Sequence, residues 1–137
     1  ILDAGANVNQ PRKRFGTTAL MIAAAANWVE IVQMLLNRGA DVNATNEDGN
    51  TALMAASLRG YANIVQVLLA GGAEVNTRNK DENTALHLAA EQSYSSVLDA
   101  LLSAGADANL LSGGETALTL SAGVGNAVGV RLLLEHG

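Results

Sequence analysis

The chain has 137 residues, of which 49% are apolar and only four are aromatic, so a core must come from small side chains packed closely. Its formal net charge of -5, from 8 Lys and Arg against 13 Asp and Glu, has the wrong sign for gripping a phosphate backbone. The absence of Cys excludes disulfide frameworks, thiolate zinc sites and cysteine nucleophiles, and two His are too few for a His-rich metal site.

In chain order, Ile1-Leu2-Asp3-Ala4-Gly5 reads as the tail of a helix, aligning with Leu35-Leu36-Asn37-Arg38-Gly39 further on. A loop with the sole proline, Pro11, and the basic run Arg12-Lys13-Arg14 followed by Phe15 leads to Thr18-Ala19-Leu20. Thr-Ala-Leu returns at 51 to 53, 84 to 86 and 116 to 118, a period of 33, 33 and 32 residues. Thr18, Thr51, Thr84 and Thr116 are each placed to N-cap a first helix. A second helix follows a short break, marked by Ile31-Val32 with Leu35-Leu36, Ile64-Val65 with Leu68-Leu69, and Val97-Leu98 with Leu101-Leu102; apolar pairs four apart define a helical face. Gly39, Gly72 and Gly105 fall just beyond these helices, where a left-handed residue is wanted. Asp41-Val42-Asn43 then runs into Asn46-Glu47-Asp48-Gly49, chemistry suited to a hairpin-like turn. Helices of about ten residues are marginal alone, so each unit must bury its Leu and Ala face on its neighbour.

Gly-x-Thr-Ala-Leu, then Ala-Ala, then Ile-Val-x-x-Leu-Leu-x-x-Gly-Ala-Asp-Val-Asn resembles the ankyrin repeat over essentially the whole chain. The resemblance implies an all-α helix-turn-helix solenoid with hairpin-like turns between repeats. The expected division is 1–12 as a preceding tail and loop, 13–45, 46–78 and 79–111 as three repeats, and 112–137 as an incomplete fourth. Neither end shows a polar capping face, so further repeats are expected to flank the segment. The family's Thr-Pro-Leu-His reads Thr-Ala-Leu throughout, with its His kept only as His87; Met21, Met54 and Thr119 stand in its place. That loss should loosen the first turn of the first helices.

Chemistry-bearing candidates are few. Gly123-Val124-Gly125-Asn126-Ala127-Val128-Gly129 approximates a dinucleotide loop, but its third Gly comes one place late and no strand precedes it. In register, Gly129 replaces Ile31 and Ile64, which should remove a core side chain and make the fourth unit fray first. His87 lacks catalytic or ligand partners by spacing, and the resemblance implies that its imidazole bonds the loop backbone. Trp28, Tyr61 and Tyr94 recur every 33 residues as an aromatic ladder, broken at Asn126.

No catalytic residue, cofactor or metal site is expected. The resemblance implies a non-catalytic module that binds a protein or peptide on a concave face of turn tips and first helices. By position, that face takes Arg14, Phe15 and Thr17; Glu47, Asp48 and Asn50; Lys80, Asp81 and Asn83; and Ser112, Gly113 and Glu115. The ends of the first helices add Ala25, Ala26, Leu58, Arg59, Glu91, Gln92 and Val124. Phe15, Arg14, Leu58 and Arg59 are expected to contribute most. The expected setting is intracellular and cytoplasmic, with no nucleic acid and no membrane span, as a monomer or stacking end to end through uncapped termini. The alternative is an architectural spacer within a longer array, attached to a separate catalytic domain.

Overall fold

The computed structural model describes residues 7–11 and 17–137. The tail at Ile1–Gly5 and the basic run through Phe15 lie outside the described residues. Among those described there are eight helices: α1 (Ala19–Ala25), α2 (Val29–Asn37), α3 (Ala52–Arg59), α4 (Ala62–Ala70), α5 (Ala85–Glu91), α6 (Ser95–Ser103), α7 (Ala117–Gly123) and α8 (Ala127–His136). They form four antiparallel pairs. The first helices α1, α3, α5 and α7 pack in succession as one layer, and α2, α4, α6 and α8 as a second. The only strand-like pairing among the described residues is an isolated bridge between Ser112 and Glu115.

Local chemistry sets each boundary. The hydroxyls of Thr18, Thr51, Thr84 and Thr116 accept from the N–H groups of Met21, Met54, His87 and Thr119 at 3.2 to 3.4 Å, so all four first helices are capped where the sequence indicates. The loosening expected from the missing Pro and His is therefore not seen at the caps. In the fourth unit, the Thr119 hydroxyl substitutes for an imidazole, accepting from the Thr116 N–H at 3.0 Å. At the far ends of α2, α4 and α6, Gly39, Gly72 and Gly105 have φ of +86°, +93° and +93°. Their N–H groups reach Leu36, Leu69 and Leu102, and those of Ala40, Ala73 and Ala106 reach Leu35, Leu68 and Leu101, the double bond of a Schellman stop.

A ladder of asparagines joins successive units. Asn9 accepts from the Asp41 N–H at 2.6 Å and donates to the Gly39 carbonyl at 3.3 Å. Asn43 does the same one repeat on, with Glu74 and Gly72. Asn76 accepts from the Asp107 N–H at 2.8 Å. Each carboxamide thus fixes the loop of the following unit, at a site where the backbone would otherwise face solvent unpaired.

The core is a continuous stripe of Leu, Ile, Val, Met and Ala between the two layers, with Ile64, Val65, Leu68, Leu98 and Leu101 wholly inaccessible. The Ser57 and Ser121 hydroxyls are also fully buried and have no hydrogen-bond partner. A buried hydroxyl without a partner costs about 1–3 kcal/mol. Ser57→Ala should therefore leave stability unchanged or raise it by about 1 kcal/mol, measured by urea unfolding; a loss above about 1 kcal/mol would show that Ser57 has a partner in solution.

The fourth pair lacks the core side chain at Gly129, as its register indicates, but no void is left there. At Gly129 a Cβ would lie 2.4 Å from Asn126 Nδ2 and 3.1 Å from Leu98 Cδ1, so the space left by the missing aliphatic side chain is already occupied. Asn126, where the other units have an aromatic, accepts from the Gly129 N–H at 3.0 Å and gives α8 the side-chain cap that α2, α4 and α6 lack. The two exchanges are one adaptation: losing the aromatic permits the cap, and the glycine makes room for it. Gly129→Ala should gain about 1 kcal/mol of helix propensity only when Asn126→Ala accompanies it, and in the parent sequence that gain should vanish as the cap is displaced. A double-mutant cycle by thermal or urea unfolding reads the coupling, expected near 1 kcal/mol; additivity would refute it.

Candidate functional site: a hollow between first helices and turn tips

The turns are built from the same asparagine chemistry. Asn46 Oδ1 accepts from the N–H groups of Asp48 and Asn50, both at 3.0 Å, while Asn46 N–H closes the turn on the Asn50 carbonyl. Asn79 repeats this with Asp81 and Asn83 at 3.0 and 2.9 Å. Asn79 Nδ2 also donates to Asn50 Oδ1 at 2.8 Å, and the Lys80 N–H to the Asp48 carbonyl at 3.0 Å, so neighbouring turns are stitched together. Gly49, with φ of +78°, lies where a Cβ would come within 3.2 Å of the Asn79 backbone; a side chain there would both strain the turn and force the two apart. Ser112 continues the chain of contacts, donating to Asn83 Oδ1 at 2.5 Å.

Between these rigid turns and the first helices lies an open hollow of about 300 Å³. Ala55 and Met54 form its floor, Met21, Ala25, Leu58, Arg59 and Leu88 its helical walls, and Asn46, Asn50, Asn79, Asp81 and Asn83 its turn side. Ala55 shares its register with Ile22, Leu88 and Leu120, so the depth of the hollow comes from one small residue in a row of large ones. Leu58 is 40% exposed, an apolar side chain standing free at the rim.

Of the residues the sequence assigned to this face, Ala25, Asn50, Leu58, Arg59, Asp81 and Asn83 line the hollow itself. Glu47, Asp48, Lys80, Glu91, Gln92, Gly113, Glu115 and Val124 are exposed at turn tips or helix ends, and Thr17 and Ser112 are half-buried. Arg14 and Phe15 lie outside the described residues. Several assigned side chains are already engaged: Asn50 and Asn83 accept from Asn79 and Ser112, and Arg59 Nε donates to the Ala25 carbonyl at 3.0 Å, satisfying one of the orphan acceptors at the end of α1. Met21, Asn46, Thr51, Met54, Ala55, Asn79 and Leu88 also line the hollow and were missed. Helical spacing could have found Ala55, which precedes Leu58 and Arg59 by three and four positions on the same face of α3.

His87 is 1% exposed and wholly committed. Its Nδ1 lies 3.2 Å from the Thr84 nitrogen and 2.9 Å from the Thr84 hydroxyl, and its Nε2 lies 2.9 Å from the Leu110 carbonyl. Nδ1 therefore accepts the Thr84 N–H and Nε2 carries the proton donated to Leu110, tying α5 to the next loop. The aromatic row is uneven. Trp28 is 55% exposed, whereas Tyr94 packs over the preceding interhelical turn, its ring 2.7 to 2.9 Å from where a Cβ of Gly60 would stand. Among the described residues no group of three or more His, Cys, Asp or Glu side chains could hold a metal ion, and no helix is long and apolar enough to cross a membrane.

Paired short helices stacked in register, with turns projecting over one layer, define a helical-repeat solenoid. The family described as Ankyrin repeats (3 copies) matches residues 1–79 and again residues 63–137, together the whole chain. The protein belongs to the ankyrin repeat family, whose members are generally protein-protein interaction modules and typically non-catalytic. No curated protein matches the chain.

Proposed function

We propose that the chain binds a protein or peptide partner through the face formed by its turn tips and first helices. The observation that carries this reading is the hollow over Ala55: a half-apolar depression with an exposed leucine, held between turns whose asparagine oxygens are fixed by hydrogen bonds. Such preorganisation lowers the ordering cost of association. On this reading Arg14, Phe15, Thr17, Glu47, Asp48, Asn50, Leu58, Arg59, Lys80, Asp81, Asn83, Glu91, Gln92 and Glu115 make up the contact surface, with Leu58 and Arg59 at its centre and Phe15 as an aromatic anchor of the kind enriched at interface hot spots. The double variant Phe15→Ala, Arg59→Ala should lose partner binding while Gln66→Ala, on the exposed side of α4, retains it. Equal binding by both variants, each folded by circular dichroism, would refute the assignment.

A further inference from the structure

The hollow has a chemistry that narrows the partner further, and this step rests on the concave-face reading above. The turn carboxamide oxygens that could have accepted from a ligand are spent within the turns: those of Asn46 and Asn79 on backbone N–H groups, that of Asn50 on Asn79, and that of Asn83 on Ser112. What the face leaves open to a partner is apolar surface, charge and the amide donors of Asn46, Asn50 and Asn83. Glu47, Asp48, Asp81, Glu82, Glu91 and Glu115 are all exposed, and none has an ion-pair partner among the described residues, where His136 pairs with Asp99 on the second helices. Against these six carboxylates stand, among the described residues, three cations of the same surface. Two are turned onto backbone carbonyls: Arg59 on Ala25, and Arg78 on Leu111 and Glu82. Among the described residues of this surface, Lys80 projects from a turn without such a contact. A volume of about 300 Å³ is at the small end for an organic ligand but ample for one side chain.

We propose that the hollow takes a basic segment of a partner protein, one apolar side chain seated over Ala55 between Leu58 and Leu88, with flanking Lys or Arg residues beside Asp81, Asp48 and Glu91. Complementary charge of this kind steers encounter and fixes which segments are admitted, and it makes binding weaken with salt. The apolar anchor supplies the buried area. Neither part suffices alone: the carboxylates are solvated when free, and the hollow is too shallow to enclose a ligand.

The test is selection of a displayed library of random 12-residue peptides on the full chain, followed by titration of the enriched peptides against Ala55→Leu and Asp81→Lys variants. Ala55→Leu fills the floor with the kind of side chain its register equivalents carry, and Asp81 contributes to its turn through its backbone N–H, so both variants should fold; thermal melts verify this. The expected result is peptides combining one Leu, Met or Phe with two or more Lys or Arg, whose affinity falls at least roughly tenfold on either substitution. Acidic or uncharged peptides that still lose binding in Ala55→Leu would overturn the basic-partner assignment and leave the concave-face reading standing. Peptides indifferent to both substitutions would overturn both, and failure to enrich any peptide would overturn the inference of a linear basic segment.

Discussion

His87→Ala is expected to lower stability by about 3 kcal/mol. The imidazole is buried, and its removal leaves the Thr84 N–H and the Leu110 carbonyl without their partner while opening a void between α5 and the following loop. An unsatisfied buried group costs about 1–3 kcal/mol, and the lost packing adds to it. His87→Gln should recover part of the loss, since a carboxamide can offer one donor and one acceptor. Urea unfolding measures the totals, and amide exchange should localise the damage to the amides of Thr84 and of the loop around Leu110. A loss below about 1 kcal/mol for His87→Ala would mean that the loop is held by the Asn76 to Asp107 bond and the turn contacts alone.

Leu68→Ala should be of comparable or larger effect, about 2–5 kcal/mol, because the side chain is wholly inaccessible in α4, which packs on both α2 and α6. Leu134, a leucine of the terminal α8, is 63% exposed, and Leu134→Ala should change stability by no more than about 0.5 kcal/mol. The contrast checks that stability resides in unit-to-unit interfaces, as a stack requires, and similar costs at the two positions would contradict it.

The frame of the fold was readable because every structural device recurs: Thr at each first-helix cap, Gly after the second helices, Leu pairs four apart, all at a period near 33. Regular spacing converts weak local preferences into a register. Where one unit departs from its siblings, the register misleads. Gly129 looks like a missing core residue when aligned with Ile64, yet Asn126 fills the space and caps α8, a pairing visible only when both exchanges are considered together in three dimensions. The same holds at the site. Leu58 and Asp81 could be placed on the face by position, but the hollow depends on Ala55, whose significance lies in being smaller than Ile22 and Leu88 beside it. Nor could spacing reveal that Arg59, placed on the face by position, is also the group that closes the end of α1.

The claim that turn tips and first helices form the partner surface is tested most directly by site-specific photocrosslinking in the intact protein. A photoreactive residue placed at Leu58 should form a covalent adduct with a partner that is competed away by the unlabelled chain, while the same residue at Gln66, exposed on α4, should form none. Adducts from Gln66 and none from Leu58 would put the partner on the second helices and contradict the account.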